Sequence, residues 1–520
     1  MQPISGAASG RTVTKRGRPA PPARRPPRWW GCKLRDATAA ACVLSGHWIS
    51  PALAAPPVIQ VPTEEQLQPG EAAAPATGPF GFLNGISRSG YMLGDMWGLR
   101  TELSKYGISF ALQETSEVLG NLTGGARQGA AYDGLTQMLL QLDTRRAFGW
   151  YGGTFNVSAL QIHGTNLSSN NLLSLQTASG IEADRATRLW ELWYDQKFLE
   201  EDRLDIRLGQ QSLDQEFMVS QNASYFVNTM FGWPMLPSAD LPGGGPAYPL
   251  SALGVRVKAR PIDPLTFLVG VFNGSPVRNN SFDSGDPQMQ NPSGTSFPLN
   301  GGVLAVAEMQ YSYPSLGTML YADQAEPLAR TYKLGIWYDT ESFADQQFDA
   351  AGGSLANPVS SGIPMSHRGD FGIYAVADQL VWVDPQEGDR TINLFGRIMG
   401  APQVDRNLVT FSMNAGLTFH EPFLHRDDDT FGIGMGYAKV SGSAAALDKA
   451  VAYYTNTVVP TRGGETYLEV TYQYQATPWW QLQPDIQYVF NPGGGIANPN
   501  APTQRVGNEL VLGVRTNILF

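Results

Sequence analysis

The last thirteen residues, Asn508 to Phe520, alternate between two kinds of side chain. Leu510, Leu512, Val514, Thr516, Ile518 and Phe520 fall on one face. Glu509, Val511, Gly513, Arg515, Asn517 and Leu519 fall on the other, because successive side chains of a strand point to opposite sides. All the charge therefore lies on one side, opposite an apolar stripe, and the segment stops on an aromatic residue. A soluble sheet rarely needs a Glu and an Arg on an inner face. A strand with lipid outside and a wet lumen inside needs both, so the segment predicts a transmembrane antiparallel β-barrel, an all-β fold.

Composition agrees. The 57 Gly and 37 Pro among 520 residues supply many turns, aromatics make up 11% and charged residues only 16%. No stretch approaches the roughly 18 consecutive apolar residues of a membrane helix, so any membrane crossing must use strands. Residues 1–54 stand apart, with nine Lys or Arg against one acid, Asp36, an apolar run from Ala37 to Ile49 and the small-residue site Ala52-Leu53-Ala54. That order is a secretory signal cut after Ala54, which predicts export to the bacterial outer membrane. Without it the chain keeps 27 basic and 45 acidic residues, a formal charge of −18. Nucleic acid is excluded as a partner by the lack of a basic stripe. Both cysteines, Cys32 and Cys42, leave with the signal, so no disulfide or thiolate metal site is expected. Residues 55–80, rich in Pro and Ala, form a linker. Residues 81–106 hold a short amphipathic helix on Leu93, Met96, Trp97, Arg100 and Leu103, ended by Gly107.

The barrel occupies residues 107–520. Its sixteen expected strands lie at 107–114, 134–143, 150–163, 188–199, 203–210, 251–260, 264–273 and 301–313, then at 331–340, 370–383, 389–399, 407–420, 430–440, 463–476, 479–490 and 508–520. Short links (144–149, 200–202, 261–263, 384–388, 477–478) alternate with long ones (211–250, 274–300, 341–369, 491–507), the parity of short periplasmic turns and long outer loops. Links 314–330 and 401–406 break it.

Alternation also assigns faces. In the fourth strand Trp190, Leu192, Tyr194 and Phe198 point to lipid, with Glu191, Trp193, Asp195 and Lys197 in the lumen. Arg203, Asp205 and Arg207, then Arg256, Lys258 and Arg260, then Asn393, Phe395 and Arg397 face inward on three others. Tyr467, Glu469, Gln473, Gln481, Gln483, Asp485 and Gln487 follow on the fourteenth and fifteenth strands, and Glu509 and Arg515 on the last. A charge on the lipid face at mid-membrane costs about 2–4 kcal/mol, so these groups must face water. Carboxylates, guanidinium groups and amides exchange hydrogen bonds with hydroxyls, and aromatic faces stack on the C–H faces of pyranose rings. Such a lumen suits weak binding of neutral polyhydroxylated solutes. Mutual pairing across the wall, which merely holds the barrel's shape, explains any single charge equally well. Trp150, Tyr151, Trp479, Trp480 and Tyr488 sit near strand ends, where aromatic girdles form.

Signs of catalysis are sparse. Residues 55–520 carry four histidines, His163, His367, His420 and His425, without metal-ligand spacing, and neither a nucleophile elbow nor a phosphate loop occurs. His420-Glu421 and His425 beside Asp427 to Asp429 read as a solvated turn. No enzyme activity, cofactor or metal is expected. An outer-membrane barrel enzyme and a non-transporting scaffold barrel are the rival readings.

Several separated motifs resemble those of one family. Leu93-Gly94-Asp95-Met96-Trp97-Gly98-Leu99-Arg100, then Leu103 and Tyr106-Gly107-Ile108, is similar to the opening of the carbohydrate-selective OprB porins. So are Trp190 to Gln196, Leu208-Gly209-Gln210 through Phe217, Asn228 to Pro234, and Tyr248-Pro249 with Ala252 to Arg256. Trp479 through Gln483 to Tyr488, with Asn491-Pro492-Gly493-Gly494, completes the set, and the resemblance spans residues 80–520. It implies a sixteen-stranded outer-membrane barrel for passive diffusion of glucose-like sugars, narrowed by an inward-folded loop, with a porin for other solutes as the alternative. Segment 211–250 is then the constriction loop, carrying Asp214, Glu216 and Asp240 towards Arg207, Arg256 and Arg397. Glu191, Trp193, Asp195, Glu469, Asp485 and Arg515 complete the expected pore lining. Phe520 resembles the signal read by the outer-membrane assembly machinery. Monomer and trimer both remain open.

Overall fold

The computed structural model describes residues 90–277, 286–314, 329–385, 390–423 and 426–520. The expected signal, the linker, His425 and parts of links 274–300 and 314–330 lie outside them. Sixteen strands form one closed antiparallel barrel: β1 (Ile108–Gly125), β2 (Gly129–Asp143), β3 (Gly153–Gly164), β4 (Ala186–Phe198), β5 (Leu204–Gln211), β6 (Ala252–Ile262), β7 (Leu265–Asn273) and β8 (Val303–Tyr313) make the first half. The second comprises β9 (Arg330–Asp349), β10 (Pro364–Val383), β11 (Thr391–Gly400), β12 (Val409–His420), β13 (Thr430–Val440), β14 (Gly464–Thr477), β15 (Trp480–Phe490) and β16 (Gly507–Leu519). Each pairs with its neighbours in sequence, and β16 closes on β1 with Arg515 opposite Glu117. Closure leaves no sheet edge, the condition for strands to span lipid.

Closure is braced by the segment before β1. A helix at Leu99–Lys105 ends at Gly107, whose φ of 74° suits glycine. Its buried Arg100 stacks on Tyr91 at 4.0 Å and donates to the backbone oxygens of Phe110 and Phe520, so one guanidinium ties the first strand to the last.

The structure differs from expectation in several places. β1 runs on from residue 114 to Gly125, through Glu114-Thr115-Ser116-Glu117, where polar residues on both faces erase the period-two signal. β9 and β10 reach Asp349 and back to Pro364, shrinking the expected 341–369 loop to a tip at 350–363; their extensions carry Glu341, Asp345 and Arg368. A β-bulge between Ser158 and Ala159 of β3 and their β4 partners turns Trp190 inward, where it is buried edge-on against Tyr248 at 6.4 Å. One extra residue moves a side chain to the other face, so its lipid assignment is corrected. Finally, a helix at Gly442–Thr455, capped by Ser441 accepting from the Ala444 amide, fills the β13–β14 link.

The main apolar core lies inside the barrel. Links 165–185 and 212–251 fold into the lumen, and Phe226, Phe231 and Trp233 of the second pack against Trp337, Phe395 and Tyr467 of the wall. β13 makes room for them. Its inward positions Gly432, Gly434 and Gly436 have no side chains, and a Cβ at Gly434 would collide with the Phe231 ring. Burying each such ring contributes roughly 1.5–3 kcal/mol, which holds the loop in place without covalent help.

Candidate functional site: the lumen constriction

Strand alternation sets the inward charges, and the 212–251 loop decides what each one meets. On β4 to β6, Asp195, Arg207 and Arg256 lie side by side in register, Asp195 opposite Arg207 and Arg207 opposite Arg256. Asp195 accepts from Arg207 Nε at 2.9 Å and from Arg256 Nη2 at 3.0 Å, and Asp205 also pairs with Arg256. Glu216 arrives from the loop and takes Arg256 through two bonds of 2.6 and 2.8 Å, with Arg207 at 3.4 Å. Fork-on-carboxylate pairing of this kind fixes geometry as well as charge. Arg207 lies over the Trp193 ring at 3.9 Å. Arg256 is 1% exposed, whereas Arg207 and Glu216 keep 17% and 22%, so these two present their polar edges to the lumen beside the partly exposed Lys258.

Arg397 behaves differently. Its guanidinium donates to the loop carbonyls of Met218 at 2.7 Å, Gly232 at 2.9 Å, Phe231 at 3.2 Å and Met230. No loop acid reaches it. Asp240 instead accepts the Leu408 and Val409 amides at 2.9 and 3.1 Å, and burial pushes its carboxyl well above the usual carboxylate range. Asp214 accepts from Ser212 Oγ at 2.5 Å and the Tyr248 amide at 2.8 Å, and burial raises it too.

Other wall charges grip loop backbone or neighbouring side chains. Glu469 accepts the Val227 and Asn228 amides at 2.6 and 3.0 Å, and Glu191 accepts Ser212 N at 3.0 Å. Arg515 holds Glu117 at 2.8 Å, and Asp485 accepts from Gln487 at 2.8 Å. Three more carboxylates do the same work: Glu465 takes the amides of Leu175, Gln176 and Gly493, Glu308 takes that of Met218, and Asp378 takes that of Asn222. Inward alternation marks Glu308, Asp378 and Glu465 as lumen residues, but their loop partners leave no mark in the strands. Among the described residues no group of His, Cys, Asp and Glu is arranged to hold a metal ion.

Towards the end at which β1 begins and β16 finishes, the lining turns to amides. Gln473 and Gln483 donate to the Tyr225 carbonyl at 3.1 and 2.8 Å, Gln481 bonds Gln473, Gln475 and Asn517, and the Tyr225 ring meets His420 edge-on at 4.9 Å. At the opposite mouth His367 lies 2.7 Å from Asp345 and 3.6 Å from Asp405, whose carboxyl the Arg406 hydrogen bond pulls below its ordinary range. A groove of about 800 Å³ is on neither path. It opens on the outer wall between Trp150, Tyr151, Tyr194, Phe198 and Leu208.

This closed sixteen-stranded wall with an inward loop is matched by known proteins. The family model described as carbohydrate-selective porin, OprB family, matches residues 127–520. The chain belongs to the OprB family of carbohydrate-selective porins. It is 25% identical over 456 residues to Porin B of Pseudomonas aeruginosa, covering 83% of this chain and 92% of that protein. Putative porin QuiX of Acinetobacter baylyi is 23% identical over 427 residues, 78% of this chain and 89% of the relative. The structure of Pseudomonas putida OprB at high pH superposes with a TM-score of 0.71 at 24% identity, covering 83% of this chain and 99% of that one, which shows the shared fold. This OprB-family chain is thus an outer-membrane porin, a channel for carbohydrates.

Proposed function

We propose that this porin passes single, glucose-like sugars by passive diffusion, and that Trp193, Arg207, Glu216 and Lys258 form the surface the sugar slides across. The observation that carries this reading is Arg207. Its guanidinium lies over the Trp193 ring beside Glu216, yet it keeps an open edge. A planar donor fork next to a carboxylate offers neighbouring hydroxyls one acceptor and one donor set, and the pair's own neutrality avoids trapping an ion. The amide-lined path through Gln473, Gln481 and Asn517 extends the same chemistry at lower affinity.

The test is single-channel recording in planar bilayers with and without glucose and longer maltooligosaccharides. Glucose is expected to reduce ion current reversibly, and Arg207→Ala is expected to weaken that block several-fold. A current indifferent to sugar in the unmodified protein would instead favour passage of other solutes.

Three further readings belong to the proposal. Export proceeds with cleavage after Ala54, with residues 55–80 as a linker, which mass spectrometry of the outer-membrane form checks. Phe520 acts as the assembly signal, so its deletion lowers the inserted amount more than the conductance of inserted channels. The channel carries its solute without chemical conversion, since the charges around the lumen are engaged with one another and with loop backbone.

A further inference from the structure

The groove on the outer wall lies at the end of the short links, the periplasmic end of such barrels. Its floor is Tyr194 on β4 with Ile206 and Leu208 on β5, which alternate along these strands with the lumen residues Trp193, Asp195 and Arg207. One side is the link after β2, where Trp150 and Tyr151 are 61% and 52% exposed. The other side is the link after β4, and it is strained. Leu199, Glu201 and Asp202 take φ of 66°, 56° and 53°, a left-handed conformation that residues other than glycine rarely adopt. That turn leaves Leu199 exposed beside Phe198 on the groove's edge.

Bonds between the two links fix this shape. Tyr151 donates to Asp202 Oδ1 at 2.7 Å, Lys197 to Asp202 Oδ2 at 3.2 Å, and the Gln196 amide to the Tyr151 carbonyl at 3.0 Å. Most charges at the rim are matched, Lys197 with Asp202 and Arg203 with Glu201 and Asp263. Two are not. Among the described residues neither Glu200 nor Arg145 has an ion-pair partner: the exposed Glu200 lines the groove, and the exposed Arg145 guanidinium lies over the Tyr151 ring at 5.6 Å.

Trp and Tyr at a strand end sit at the level of the lipid headgroups, with apolar wall on the membrane side of them. A trough there with one free cation and one free anion at its mouth matches a zwitterion attached to a hydrocarbon chain. About 800 Å³ is within the range of pockets that hold a small ligand. A phosphate suits the planar fork of Arg145, and a primary ammonium can donate to the Glu200 carboxylate. An anionic headgroup without an ammonium would leave Glu200 facing like charge, and a choline has no N–H to donate. We propose that this groove binds one phospholipid with a primary-amine headgroup, its phosphate on Arg145, its ammonium on Glu200 and an acyl chain along Leu208.

Native mass spectrometry tests this on the full protein in nanodiscs holding equal amounts of phosphatidylethanolamine, phosphatidylglycerol and phosphatidylcholine with matched acyl chains. On release from the disc, one phospholipid is expected to stay with each chain, the ethanolamine lipid enriched several-fold over its share. Arg145→Gln with Glu200→Gln is expected to abolish the enrichment, and Leu208→Trp, which fills the groove, to abolish retention. Leu394→Trp, outward on β11, is expected to change neither. Should Leu208→Trp fail to insert, brominated lipids give the answer in the native chain through quenching of Trp150, read as the difference from Trp150→Phe. The brominated ethanolamine lipid is expected to quench more strongly than the other two. No retained lipid, equal retention or quenching by all three, preference for the glycerol or choline lipid, or retention that survives Leu208→Trp would overturn the proposal.

Discussion

Arg207 and Arg397 occupy equivalent slots, each inward on its strand and each read from the sequence as pore lining, yet they do opposite things. Arg207 lies on Trp193 between Asp195 and Glu216 with an edge open to the lumen. Arg397 is fully buried and spends its guanidinium on four loop carbonyls. A charged side chain facing a lumen is thus only half described by its strand. The loop that folds over it settles the rest, and a loop that brings carbonyls turns a selectivity group into an anchor.

The largest effect is expected from the anchor. Arg397→Ala leaves the carbonyls of Met218, Phe231 and Gly232 without this donor, at about 1–3 kcal/mol for each unsatisfied group, while Met230 keeps Asn414 as a donor. The 212–251 loop is then expected to become protease-sensitive and conductance to rise several-fold, with Arg397→Lys failing to restore either because an ammonium lacks the planar fork. Unchanged conductance and protection would erase the distinction between the two arginines.

Arg207→Ala is expected to have a smaller, opposite signature: an intact protease pattern and a modest loss of stability, since Asp195 and Glu216 both keep Arg256 as a partner, but weaker sugar block. Loop release in that variant would make Arg207 a second anchor.

The smallest effect concerns pH. Because burial raises the Asp240 carboxyl, the docked loop holds a proton that a free loop releases. Its contribution to docking is therefore full below the ordinary carboxylate value of about 4 and declines as pH rises towards the raised one. Asp240→Asn, whose Oδ1 can still accept the Leu408 and Val409 amides, is expected to flatten protease sensitivity between pH 5 and 8. A slope that persists in Asp240→Asn would assign it elsewhere.

Much of the barrel was legible because lipid on one side and water on the other force a period of two, which β13, β15 and β16 follow almost residue for residue. Legibility failed where one of those conditions did. The Glu114-Thr115-Ser116-Glu117 stretch of β1 is polar on both faces. Trp190 was misassigned because a bulge shifts the phase, and the helix at Gly442–Thr455 lies in the β13–β14 link, where the strand rule does not apply. Glu216 meeting Arg256 follows from the family's inward loop, but the docking of Glu469, Glu465 and Glu308 on backbone amides depends on contacts up to 290 residues apart in sequence. One local pattern does hint at it. Of the glycines at every second position of β13, Gly432 and Gly434 are where the loop's Phe226 and Phe231 rings come to rest.

The brace from Arg100 to Phe520 joins residues 420 positions apart. Bringing such distant points together costs on the order of 5 kcal/mol of chain entropy, more than one hydrogen bond returns, so the joint must form late and with help from the β1–β16 seam. Until Phe520 is delivered, β1 is an open edge able to accept any strand that comes near. The guanidinium can hold both carbonyls only once the first and last strands lie side by side.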